Sequence, residues 1–224
     1  MRTMYLCLAI VFGLLTGAKA QAIKNAVPPA DVRGRSEAIP DDVWMAMDGK
    51  SWHKDLACPK RTDLSVLHLP FIDFDGIPQM GRMVVAKTVS DEVIEIFSKL
   101  YRAGFRIQSM RLIDDFGGDD DASMAANNTS AFNCRLKTSG KALSEHAMGK
   151  AIDVNPVQNP YVGGASTSPS AGAQYNTPAK RAHPTTGLIQ RDGDAIKIFA
   201  SAGWKWGGNW TSPKDYQHFS KSGR

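Results

Sequence analysis

Two of the five histidines stand in dense polar surroundings, His146 in S-E-H-A-M-G-K-A-I-D and His218 in D-Y-Q-H-F. Together with Asp153, which closes the first phrase, they offer two imidazoles and a carboxylate. A catalytic zinc ion takes three protein ligands of nitrogen or oxygen type and leaves a further position for water. His146, Asp153 and His218 are therefore candidate metal ligands, and Zn2+ is the candidate cofactor. An ion held in this way polarises a carbonyl and acidifies a water molecule, which is the chemistry of hydrolysis near neutral pH. His53, His68 and His183 stand apart from such phrases and read as ordinary core or surface residues.

These groups need elements to hold them. A short turn or helix over 144–148 leads into a strand over 151–155, whose alternation sends Ile152 and Val154 to the core and Asp153 to the opposite face. Gly149, between the two, would let backbone come close to the metal. Upstream, 82–87 reads as a strand. A helix then starts at Ser90-Asp91-Glu92, sets Val93, Ile94, Phe97, Leu100 and Tyr101 on one face, and ends at Gly104. Further strands are expected over 105–113 and 131–136, separated by an acidic loop rich in Gly and Asn over 114–128. The stretch 163–187, rich in Gly, Ser, Thr and Pro, reads as a long loop. A last helix over 192–202 is followed by a tail of two short strands and a Gly-rich turn, and that tail carries His218. Strands and helices do not alternate as βαβ units, so the expected class is α+β, a mainly antiparallel sheet with flanking helices.

The chain has 224 residues, 42% apolar and 22% charged, which suits one globular domain with a sizeable core. Its long apolar run, 4–17, follows Arg2 and precedes Ala18-Lys19-Ala20, the pattern of a signal peptide over 1–20. The run is too short to span a bilayer comfortably, and no other segment could do so. The expected organisation is a signal peptide, an N-terminal extension over 21–65, and a domain over 66–224 that holds the candidate ligands. The location expected from this is secreted or periplasmic. Basic residues are scattered, without a run interleaved with aromatics, so no nucleic-acid surface is indicated. Cys58 and Cys134 remain after cleavage, and either a disulfide or two buried thiols would accommodate them, the bridge being the economical reading in an exported chain.

The order S-x-H-x-x-G-x-A-x-D followed by a distant D-x-x-H resembles the signature of the D-alanyl-D-alanine carboxypeptidase and L-alanyl-D-glutamate endopeptidase zinc enzymes, whose fold is shared with the hedgehog signalling domain. G-W-K-W-G-G-N-W, before D-Y-Q-H-F, strengthens the resemblance, which extends over roughly 80–220. It implies a zinc peptidase acting on peptidoglycan stem peptides, with His146, Asp153 and His218 as ligands. It also implies Asp215 as general base, where many relatives carry Glu, and Arg135 in F-N-C-R as the positive charge facing the substrate carbonyl or carboxylate. Ser144 reads either as a substrate-positioning or supporting group or as a turn former. Trp206 and Tyr216, flanking the base and the last ligand, either shape the substrate cleft or pack in the core. The bond cleaved, D-Ala-D-Ala or L-Ala-D-Glu, stays open at this level, and a monomer is expected. A non-catalytic zinc-containing wall-binding module on the same fold is the alternative, disfavoured because a binder has no use for a base.

Overall fold

The computed structural model describes residues 32–137, 140 and 142–223. The expected signal peptide, and the start of the expected extension, lie outside the described residues. Among the described residues, no helix is long and apolar enough to cross a membrane.

The backbone forms three small antiparallel sheets with helices packed on them, an α+β architecture. The first sheet has the order β1-β2-β3, from β1 (Arg35–Ala38), β2 (Leu64–Ile72) and β3 (Pro78–Ala86). Between β1 and β2 lies the short helix α1 (Asp41–Met47). Thus β1 and α1, which fall within the stretch expected as an extension, are built into the fold. The β2 sequence L-S-V-L-H-L-P-F-I buries residues on both faces: Leu67 and Leu69 join one core cluster, Leu64 and Val66 a second. A strand covered on both sides reads as a continuous apolar run rather than an alternation, which hides it from a period-two reading.

Helix α2 (Ser90–Arg102) closes one face of this sheet. Val93, Ile94, Phe97, Leu100 and Tyr101 are all buried, as their spacing requires, and Gly104 with φ +72° turns the chain away. Helix α4 (Asp194–Ser201) packs against α2, and its Phe199 stacks on Phe219 of β9 (His218–Ser220) with centroids 3.8 Å apart. The second core cluster, on the other face of the β2–β3 hairpin, takes Ile39, Val43 and Met47 from the N-terminal stretch together with Phe132 and Cys134. A disulfide joins Cys58 to Cys134 there.

Two expected strands are corrected. Residues 105–112 and 131–136 contribute only isolated bridges, such as Ile72 with Arg106 and Leu136 with Leu143, and Ile113 already begins a 3-10 turn (Ile113–Phe116). In the first stretch backbone groups are satisfied in part by side chains, Gln108 N donating to Asn155 Oδ1 and Arg111 N to Asn128 Oδ1, while in the second the amides of Phe132, Asn133 and Cys134 donate to the carbonyls of Val84, His146 and Ser51. The acidic loop also contains a helical turn and a half, α3 (Asp120–Ala125), started by the Asp119 side chain accepting from Ala122 N at 3.0 Å. The long Gly- and Ser-rich stretch is partly ordered, with β5 (Tyr161–Gly163) and β6 (Ser166–Ser168) forming a hairpin at its start.

Candidate metal centre

The site is assembled at the junction of two sheets. β4 (Ala151–Asp153) pairs antiparallel with β9, and Asp153 stands directly opposite His218 in the register. On its other edge β9 pairs with β7 (Lys205–Trp206). His146 arrives from a 3-10 turn, Glu145–Met148, whose N-cap Ser144 accepts from His146 N at 3.3 Å. Gly149, at φ +63°, ends that turn. The close approach that Gly149 permits is to β3 rather than to the candidate ligands, which corrects the expectation. Its carbonyl accepts from Ala86 N at 2.9 Å, and a Cβ there would collide with the Ala86 amide and lie 2.9 Å from the Val85 carbonyl carbon. The turn is thereby welded to the end of β3, with His146 beside Asp153.

Three donor side chains converge, the Asp153 carboxylate turning a different oxygen to each imidazole. His146 Nε2 lies 3.2 Å from His218 Nδ1, His218 Nδ1 lies 3.2 Å from Asp153 Oδ1, and His146 Nε2 lies 3.3 Å from Asp153 Oδ2. Donors at tetrahedral positions about 2.0–2.1 Å from a zinc ion stand roughly 3.3 Å from one another. The spacing therefore fits a single ion held by all three. Nδ1 of His146 is 2.7 Å from the Ala131 carbonyl, to which it donates. That bond sets the tautomer and leaves the Nε2 lone pair facing the cluster. All three side chains are buried. Burial opposes charge on both Asp153 and His146, yet their mutual attraction outweighs it, holding the Asp153 carboxyl well below the usual range and His146 above its own.

A cavity of about 450 Å³ opens over the cluster. Ser144, Arg135 and Asp215 line it, and so do Tyr161, Trp210 and Asp120. Asp215, on β8 (Lys214–Asp215), has its Oδ1 covered and without a partner among the described residues, and burial, with the Asp153 charge nearby, pushes its carboxyl up to about 7. Arg135 donates through Nη2 to Asp120, while its Nε is covered and has no partner among the described residues. Asp120 is itself pushed upward by burial in spite of Arg135. Trp206 and Tyr216 do not line this cavity. Both are buried in the main core, where Trp206 Nε1 donates to the Tyr216 carbonyl at 2.8 Å. The aromatics that face the cavity are Tyr161 and Trp210, the latter with its ring 5.4 Å from that of His218. Trp210 belongs to the aromatic tail singled out by sequence, whereas Asp120, inside a run of three aspartates, carries no pattern that would distinguish it from its neighbours.

Residues 137–221 match the family model described as D-alanyl-D-alanine carboxypeptidase. The match bears out the resemblance, and the matched stretch holds His146, Asp153, Asp215 and His218 while Asp120 and Arg135 precede it. Comparison with curated proteins and with solved structures returns no match. Family match and ligand cluster together support a peptidase of metal-dependent type.

Proposed function

We propose that this chain is an exported zinc peptidase that hydrolyses the stem peptides of peptidoglycan, at a D-Ala-D-Ala or an L-Ala-D-Glu bond. The observation that carries the reading is the convergence of His146 Nε2, His218 Nδ1 and the Asp153 carboxylate within 3.2–3.3 Å, inside the stretch that matches the peptidase family. His146, Asp153 and His218 would hold the ion. Zinc, when bound, supplies Lewis acidity toward the scissile carbonyl and toward water.

The remaining work falls to the chain's own residues. Asp215 is the proposed general base: a partnerless carboxylate oxygen in a covered position, with affinity for a proton near neutral pH, suits a group that takes a proton from water and passes it to the leaving amine. Arg135 presents a fixed positive charge to the substrate carbonyl or carboxylate, with Asp120 holding one end of its guanidinium. Ser144 supports the site by capping the His146 turn. Export is supported by the Cys58–Cys134 bridge, since disulfides persist in oxidising compartments, and by the pattern of the first 20 residues.

Digestion of purified muropeptides with the metal-loaded protein, read by mass, tests the proposal. Release of D-Ala marks the terminal bond, and release of L-Ala-linked fragments marks the internal one. Exhaustive chelation should abolish either product, and zinc should restore it. Unaltered turnover after chelation would remove the metal from the mechanism.

A further inference from the structure

We propose that Arg181 is a positioning residue for the metal ligands, an inference that rests on the metal reading above. Arg181 sits in the long stretch that follows β6. Between residues 177 and 186 it alone is buried, its neighbours on both sides being exposed. Its guanidinium does not pair with a carboxylate in any of its hydrogen bonds. Nη1 donates to the Gln158 carbonyl at 2.7 Å, and Nη2 donates to Asn159 Oδ1 at 3.0 Å and to the Ile189 carbonyl at 2.8 Å. Its flat face lies 4.0 Å from the centre of the Tyr216 ring.

These contacts reach both strands of the candidate centre. Asn159 donates through Nδ2 to the carbonyls of Val154, Asn155 and Gly187, so the chain leaving Asp153 is tied to the same node. Tyr216 stands between Asp215 and His218, its amide donating to Pro160 at 3.2 Å and its carbonyl accepting from Trp206. The Arg181 plane lies over one face of that ring. One side chain thus braces the exit of the Asp153 strand and the segment that carries Asp215 and His218. An apolar anchor would hold a surface loop without the desolvation cost of a buried cation. What an apolar residue cannot do is donate along fixed directions to two segments, 158–159 and 189, while stacking on an aromatic face, which is the property of a planar guanidinium.

The test uses the full mature chain loaded with Co2+, whose visible spectrum reports ligand geometry, and measures cobalt affinity by competition with a chelator. Arg181→Met should keep the far-ultraviolet circular dichroism of the wild type below its melting temperature, weaken cobalt binding by roughly 10- to 100-fold, and shift the visible bands. Arg181→Lys should restore little, because it keeps the charge and loses the fork and the stack. Should Arg181→Met fail to fold, Tyr216→Leu removes the stacked face and leaves the guanidinium bonds, and the same loss of affinity is expected. Variants that melt earlier yet keep the affinity and spectrum of the wild type would make Arg181 a loop anchor only and overturn the inference, as would full rescue by Lys. The readout is separable from the peptidase proposal. A wild-type chain that binds cobalt but cleaves no wall peptide sinks that proposal alone, and an active wild type with indifferent variants sinks this one alone.

Discussion

At the scale of single residues the proposed site divides into groups that hold the ion and a group that moves a proton, and substitution can separate them. His218→Ala removes a proposed ligand, so metal and activity should both be lost, because a two-ligand site binds far more weakly. Asp215→Asn keeps shape but cannot accept a proton, so the ion should remain while turnover falls by about two to four orders of magnitude. Metal content by elemental analysis, beside turnover, distinguishes the two, and an Asp215→Asn chain without metal would mean that Asp215 is a ligand. Asp215 also has a signature in the metal-free protein. Its folded-state value of about 7 lies above that of an unfolded carboxyl, so its contribution is undiminished in acid and is lost as pH rises through about 7. The neutral Asn escapes that loss. Asp215→Asn should therefore stabilise the metal-free chain by a few kcal/mol near pH ~8, and by nothing near pH ~3, since a tenfold difference in proton affinity between the folded and unfolded chain is worth about 1.4 kcal/mol. Urea unfolding at both values checks this, and an equal gap at the two would contradict it.

Among the elements, the 3-10 turn that carries His146 depends for its placement on one backbone conformation. Gly149 is left-handed and its α-carbon lies against the end of β3, where a methyl group would strike the Ala86 amide. Gly149→Ala therefore suffers both a disfavoured φ and a backbone collision, and should cost about 2 kcal/mol or more in stability. Because Ala86 N donates to the Gly149 carbonyl, the displaced turn should also carry His146 away from Asp153. Chemical denaturation measures the first effect and metal titration the second. Wild-type values in both would show that β3 can yield at that point. Helix α2 behaves in the opposite manner, since its apolar face is set by spacing alone and many buried contacts share its positioning.

For the whole molecule, the N-terminal stretch and the site-bearing part are joined covalently as well as by packing. The Cys58–Cys134 bridge spans 76 residues and anchors the chain just before Arg135, and Cys134 N donates to the Ser51 carbonyl at 2.8 Å. Closing a loop of this length restricts the unfolded chain by roughly 4.5 kcal/mol at most. Replacing both cysteines by serine should lower unfolding free energy by up to that amount, as read from denaturant midpoints at constant slope. Stability unchanged by the double replacement would show that the bridge contributes nothing beyond the hydrophobic cluster around Met47 and Phe132.

The sequence by itself determined whatever depends on residue type and short-range spacing. The α+β class, helix α2 with its buried face, the two phrases carrying His146, Asp153 and His218, and the family resemblance were all legible, because periodicity and motif order are local properties. Tertiary structure alone decided the contacts made between distant segments. Strand β2 escaped the period-two reading because two core layers bury it from both sides. The stretches over 105–113 and 131–136 have strand-like composition yet meet scattered side chains in the first case and carbonyls of separate segments in the second, rather than a continuous partner strand, and composition does not show which partner a backbone amide will find. Trp206 and Tyr216 stand in sequence beside the site and in space behind it, while Asp120, Tyr161 and Trp210 come from three separate segments to line the cavity. Neighbourhood along the chain sets which face a residue can occupy only once the packing of its strand is known, and that packing is a property of the whole fold.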